Sequence, residues 1–199
     1  LEPGNVLYLN RLGVFYFRQE QFTQAKTWYE KSVQVAPQDP INWENLGLVC
    51  QQLKQPGEAE AAFRKALEVA TQDRDLYFNR LGVFLYQQGR DAEALDAYQQ
   101  AIALASKSIY LENLGLLYER MGRLEEAQHA YERALEQAGD MDKDLYLNRL
   151  GVFCFNRQQY EKAIEYYQKA VARMPRPTYY ENIGLAYNMM GQMPAAIEA

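Results

Sequence analysis

The sequence predicts an all-α protein, a solenoid built from antiparallel helix pairs, and three observations lead there. The stretch Leu76-Tyr77-Phe78-Asn79-Arg80-Leu81-Gly82-Val83-Phe84 recurs nearly unchanged at 7–15 and at 145–153, a displacement of 69 residues each time. Related segments lie between the copies, so that Gly13, Gly47, Gly82, Gly115, Gly151 and Gly184 follow one another at spacings of 34, 35, 33, 36 and 33 residues. Self-similarity at such a period marks a repeat architecture, in which each unit buries its apolar face on its neighbours. Around each glycine the apolar residues fall at i, i+3, i+4 and i+7, which is one face of a helix.

Taken in order, the first repeat (about 6–39) opens with a helix over about 6–19, whose stripe is Leu9, Leu12, Gly13 and Tyr16. A second helix over about 21–35 turns Phe22, Ala25, Tyr29, Ser32 and Val33 inward, and Pro37 stops it. In the second repeat (40–74) Asp39 caps the helix that Pro40 opens, and Pro56-Gly57 leads into a helix with Ala59, Phe63, Ala66 and Leu67 inward. The third (75–107) places Phe78, Leu81, Gly82 and Leu85 on its first helix and Ala94, Tyr98, Ala101 and Ile102 on its second, with Gly89 at the turn. The fourth (108–143) repeats this with Leu111, Leu114, Gly115 and Tyr118, then Ala127, Tyr131, Ala134 and Leu135, turning at Gly122. The fifth (144–176) has Leu147, Leu150, Gly151 and Cys154, then Ala163, Tyr167, Ala170 and Val171, leaving through Pro175. The sixth (177–199) has Tyr180, Ile183, Gly184 and Tyr187 and reaches Ala199 part-way through its second helix. The solenoid is thus expected over 6–199, with 1–5 a leader that reads as the start of a fragment. A helix-interior glycine costs about 1 kcal/mol relative to alanine. Six in register are therefore expected to permit close approach of each first helix to its own second helix.

The 26 acidic and 21 basic residues leave a net charge of −5, which opposes a nucleic-acid footprint, since that needs a basic stripe. No run of apolar residues is long enough for a membrane span, and Leu1-Glu2-Pro3-Gly4 is not a signal peptide. A cytoplasmic location is the expectation. Cys50 and Cys154 occupy one place in two repeats three apart, beyond disulfide reach, and read as small buried hydrophobes. The single histidine, His129, lies on the polar side of a helix with no Cys or His at ligand spacing. It supports neither a metal site nor a catalytic triad. Carboxylates such as Glu125-Glu126 follow the solvated helix surface, and no glycine-rich phosphate loop occurs. No catalytic residue, metal or cofactor is expected.

The period of about 34, with a bulky residue, Leu-Gly, an aromatic, then Ala, an aromatic, Ala and a terminal Pro, resembles the tetratricopeptide repeat over almost the whole chain. The departures are that the terminal proline survives only as Pro37 and Pro175, that Cys50, Leu85 and Cys154 replace the first-helix aromatic, and that 139–143 is slightly long. The resemblance implies a right-handed solenoid that acts as a non-catalytic interaction scaffold, with the first helices lining a concave groove for a peptide or partner segment.

Helix geometry selects the residues that face such a groove. Each first helix carries one asparagine there, Asn10, Asn45, Asn79, Asn113, Asn148 or Asn182, and an amide can donate and accept to a peptide backbone at once. Asn45, Asn113 and Asn182 stand where the family often has asparagine whatever the ligand, whereas Asn10, Asn79 and Asn148 are shifted by one residue. An apolar row follows in Val14, Leu48, Val83, Leu116, Val152 and Leu185, with Phe17, Tyr86 and Phe155 added in alternate repeats. The competing reading is that this row packs on the next repeat. Arg11, Arg80 and Arg149 alternate with Glu44, Glu112 and Glu181. They read either as a charge pattern that sets ligand register or as a ladder of ion pairs between repeats, and the ladder is favoured. Two further functional readings stand beside the groove. One is self-association, either end to end through open solenoid ends, which lack an evident polar cap, or by a terminal helix or second copy filling the groove, and the other is the sensor or regulatory arm of a larger signalling or effector protein.

Overall fold

A computed structural model describes residues 5–191. Among the described residues it contains α-helices and no strand. The helices are α1 (Val6–Arg18), α2 (Phe22–Val35), α3 (Pro40–Gln52), α4 (Pro56–Val69), α5 (Arg74–Gln87) and α6 (Asp91–Leu104), then α7 (Ser108–Arg120), α8 (Leu124–Gln137), α9 (Lys143–Asn156), α10 (Tyr160–Arg173) and α11 (Pro177–Met189). The second helix expected for the sixth repeat, and most of the leader, lie outside the described residues.

The contacts divide the chain into two compact halves, 1–104 and 105–199. In the N-terminal half α1 pairs with α2, α3 with α4 and α5 with α6, and α3 also packs on α2 and α5 on α4. The C-terminal half repeats the scheme, with α7 on α8, α9 on both α8 and α10, and α11 on α10.

The helix ends follow from local chemistry. The Asp39 carboxylate accepts from the Ile41 amide at 3.0 Å while Pro40 takes the first helical position, as the sequence predicts. Asn5 caps α1 in the same way, its side-chain oxygen 3.0 Å from the Leu7 amide. The first helix of each of the first five repeats stops on a Schellman turn. In the first repeat the amide of Glu20 bonds the Phe17 carbonyl and that of Gln21 the Tyr16 carbonyl, and the pattern recurs at Lys54-Gln55, Gly89-Arg90, Gly122-Arg123 and Gln158-Gln159. The turn needs a left-handed residue. Gly89 and Gly122 supply it without strain, but Glu20, Lys54 and Gln158 are held there at φ of 57–59°.

The glycines of the repeated word do what the spacing predicts. A Cβ on Gly82 would stand 2.7 Å from the Tyr98 ring, and one on Gly47 2.8 Å from Phe63. Tyr29, Tyr131 and Tyr167 press in the same way on Gly13, Gly115 and Gly151. Each second helix thus lays one aromatic ring directly on the backbone of the first helix. Cys50 and Cys154 are free and buried, as expected, and burial pushes the Cys50 thiol up to about 11. The expected stripe differs at two places, Leu12 in the first repeat and Tyr180 in the sixth, both of which are exposed. Leu12 is exposed, whereas its counterparts Leu81 and Leu150 are buried, because the α1 face that carries it has no preceding repeat against it among the described residues.

Candidate functional site

The first helix of each of the first five repeats presents two aliphatic side chains seven residues apart, two turns along one face, and in the sixth Thr178 stands seven residues before Leu185. In the N-terminal half these are Leu7 and Val14 on α1, Ile41 and Leu48 on α3, and Leu76 and Val83 on α5. Leu7, Val14 and Ile41 are exposed, and the others are half-buried. In the C-terminal half Ile109 and Leu116 stand on α7, Leu145 and Val152 on α9, and Leu185 on α11, with Ile109, Leu145 and Leu185 exposed. Of the row Val14, Leu48, Val83, Leu116, Val152 and Leu185, the two end members are exposed and the four between them are half-buried. Phe17 and Phe155 sit half-buried beside it, each set edge-on against the aromatic that opens the following helix, Phe22 or Tyr160, with ring centres 5.3 Å apart. Tyr86 is half-buried at the corresponding place.

Between α3 and α5 an open cleft of about 520 Å³ is lined by Leu48, Gln51, Gln52, Arg80, Val83 and Gln87, among others. Its rim is a cluster of amides, in which the Gln51 amide nitrogen donates to the Gln87 carbonyl oxygen. The equivalent C-terminal positions hold Glu119, Arg120 and Asn156, so the two halves offer different polar rims beside the same aliphatic row.

The asparagines do not act as one set. The Asn10 amide donates to the Asn42 carbonyl oxygen at 2.7 Å and accepts from the Ser32 hydroxyl at 2.8 Å, while Asn42 donates on to the Ala36 carbonyl at 3.1 Å. Asn10 is thus built into the joint between the first two repeats. Asn79 is buried, and Asn148 accepts from the Asn182 amide at 2.9 Å across adjacent helices. Asn45 and Asn113 are half-buried. Asn42 did not stand out in the sequence. Its signal is that the same place in repeats four and six holds a tyrosine, Tyr110 and Tyr179.

The charges resolve as a ladder. Arg80 bonds Glu44 at 2.8 Å, and Arg149 bonds Glu112 through its Nε at 2.8 Å and a terminal nitrogen at 2.7 Å. Each pair joins an even repeat to the odd repeat after it. Arg11 and Glu181, the first and last members of the series, are exposed. A second polar joint was missed because it lies off the groove stripe. Asp144 is buried and accepts at 2.8 Å from both the Tyr179 hydroxyl and the Arg176 Nε. Burial works against this carboxylate, but the two hydrogen bonds and the Arg176 charge outweigh it and hold it below the usual aspartate range. His129 is exposed on α8, and no His, Cys, Asp or Glu cluster able to hold a metal occurs among the described residues. No described helix is long and apolar enough to cross a membrane.

The relatives agree with this geometry. A family model described as tetratricopeptide repeat matches residues 5–72, 39–107 and 73–140, and a second model of the same description matches 113–177. The human tetratricopeptide repeat protein 7B is 30% identical over 97 residues, which are 49% of this chain and 11% of that protein. The chain therefore spans only about a tenth of that relative's length. Two solved structures share the fold at 22% identity. PilF of Pseudomonas aeruginosa has a TM-score of 0.76, covering 97% of this chain and 87% of its own. PilW, described as a type IV pilus biogenesis factor, has a TM-score of 0.77, covering 97% and 89%. With helix pairs at a 34-residue period, a glycine under an aromatic ring in repeat after repeat, and family models matching from residue 5 to 177, the chain belongs to the tetratricopeptide repeat family, a protein-interaction scaffold of the all-α solenoid class.

Proposed function

We propose that the chain is a non-catalytic scaffold that captures a segment of a partner protein on the exposed face of its first helices. The observation that carries this reading is the aliphatic row, in which Leu7, Val14, Ile41, Ile109, Leu145 and Leu185 are exposed and Leu48, Leu76, Val83, Leu116 and Val152 are half-buried beside them. A soluble surface does not ordinarily align exposed aliphatics in this way. Each apolar ligand side chain seated between them contributes roughly 1.5–3 kcal/mol before ordering costs are subtracted. The polar part of recognition falls to Asn45 and Asn113, which are half-buried on that face, and to the amide cluster of Gln51 and Gln87. Arg80 and Arg149 act through their pairs with Glu44 and Glu112 and set the register of the row.

The test is selection of random phage-displayed peptides on the intact protein and on an Ile41→Asp, Leu145→Asp variant. Both positions are exposed, so helical content should be unchanged. The wild type should enrich peptides with spaced aliphatic residues and the variant should not. Equal enrichment of the same peptides by both proteins would remove the aliphatic row from the binding surface.

A further inference from the structure

Resting on the capture of a partner segment proposed above, we infer that the cleft between α3 and α5 is a specificity pocket for a carboxamide, the side chain of an asparagine or glutamine that the segment carries beside one of its aliphatic residues.

The chemistry of the cleft is almost free of charge. Its apolar part is Leu48 and Val83, both half-buried, over the buried rings of Phe63 and Phe84, whose centres are 5.3 Å apart. The rest of the lining is mostly amide, with Gln51 and Gln52 from α3 and Gln87 and Gln88 from the end of α5. Arg80 is the one charged residue among those that line it. Its charge is already met by Glu44 at 2.8 Å, and the Glu44 side chain is only 12% exposed. A charged ligand group entering here gives up its water without gaining a counterion, which is costly. An uncharged polar group meets no such penalty if its hydrogen bonds are made.

The amides specify which uncharged group fits. Gln51 donates to the Gln87 carbonyl oxygen. That bond leaves the Gln51 oxygen to accept and the Gln87 nitrogen to donate. A carboxamide brings the matching donor and acceptor on one planar group, whereas a carboxylate only accepts and an ammonium only donates.

The C-terminal half supplies the contrast. Glu119 stands at the place of Gln51 and Tyr131 at the place of Phe63. The Tyr131 hydroxyl donates to the Glu119 carboxylate at 2.5 Å, which ties that side chain to the second helix of its own repeat. Phe63 has no hydroxyl with which to hold Gln51. Arg120 and Asn156 replace Gln52 and Gln87. Selection of a carboxamide therefore belongs to the α3 and α5 pair.

Fluorescence anisotropy of the intact protein with the peptide most enriched in the phage selection above tests this. Enriched peptides should carry Asn or Gln at a constant spacing from an aliphatic residue. Replacing that residue by its isosteric acid, Asp or Glu, should weaken binding about tenfold or more, because the Gln51 oxygen then faces a second acceptor. Selection on a Gln51→Glu variant should keep the aliphatic residue and exchange the carboxamide for Lys or Arg, with helical content unchanged. Aliphatic enrichment without a carboxamide, or an acid peptide that binds as well as the amide one, or the same polar residue enriched by both proteins, would overturn the pocket and leave the aliphatic row standing. A wild type that enriches no aliphatic peptide would remove the capture of a segment and the pocket with it.

Discussion

Asn10 and Asn42 join the first two repeats through one hydrogen bond of 2.7 Å, and Ser32 closes the network by donating to Asn10 at 2.8 Å. Ser32 and Asn42 are buried. A buried polar group left without its partner costs about 1–3 kcal/mol. Asn42→Ala takes the acceptor from the Asn10 amide nitrogen while Ser32 keeps its bond to Asn10, so it should lower unfolding free energy by about that amount, read as a shift in the urea midpoint at unchanged slope. Asn45→Ala, three residues away on the same helix, should move stability by less than about 0.5 kcal/mol. An equal loss for both variants would show that the network carries no special weight.

The ring of Tyr98 lies where a Cβ on Gly82 would come within 2.7 Å of it. Alanine should gain about 1 kcal/mol in helix propensity over glycine. The ring cannot easily withdraw, since Tyr98 is itself buried in the core, and overpacking of this kind costs about 1–3 kcal/mol. Gly82→Ala should therefore be net destabilising. Gly82→Ala with Tyr98→Leu should recover part of the loss, because the smaller side chain frees the space. Thermal and urea unfolding of the four proteins in the cycle give the coupling directly.

Gln158 and Lys54 occupy the left-handed position of their Schellman turns at φ of 59° and 57°, where Gly89 and Gly122 stand at 73° in their own repeats. The left-handed conformation costs an L-residue about 1–2 kcal/mol, partly offset because glycine is freer when unfolded. Gln158→Gly and Lys54→Gly should each stabilise the protein by up to about 1 kcal/mol, and Gly89→Ala should destabilise it by a similar amount. A destabilising Gln158→Gly would mean that the side chain makes contacts worth more than the strain.

The period, the close approach of the paired helices at each glycine and the Asp39 cap were legible in the sequence, whereas the aromatic ring that lies on each glycine is shown only by the packed pair. The division of labour among the asparagines was not legible either. Asn10 and Asn45 differ by one residue relative to their glycines, and one residue turns a side chain by about 100° around the helix. That rotation carries Asn10 into the joint with Ser32 and Asn42 and leaves Asn45 half-buried outside it. The alternation of Arg80 and Arg149 with Glu44 and Glu112 was readable as a pattern, but only the packed helices show the pairs meeting across repeats. Leu12 illustrates the opposite limit. Its stripe predicts burial, yet burial depends on what stands before α1, which helical periodicity does not encode.

Asp144 should give the protein an acid-sensitive joint. Its carboxylate is buried and accepts from Tyr179 and Arg176 at 2.8 Å each. Burial alone would raise its pKa, but the Tyr179 and Arg176 hydrogen bonds and the Arg176 charge prevail and depress it. For a depressed carboxylate the folded state binds the proton less tightly than the unfolded chain. The stabilisation is therefore complete above the unfolded value of about 3.9 and is lost as pH falls through the lower folded value. Asp144→Asn keeps the shape but removes the charge, and should cost about 1–3 kcal/mol at neutral pH. The two proteins should converge below about pH 4, as the wild-type carboxylate takes up its proton. Urea unfolding of both from pH 7 to pH 3 measures the gap, and a gap that stays constant across that range would show that the joint does not draw on the Asp144 charge.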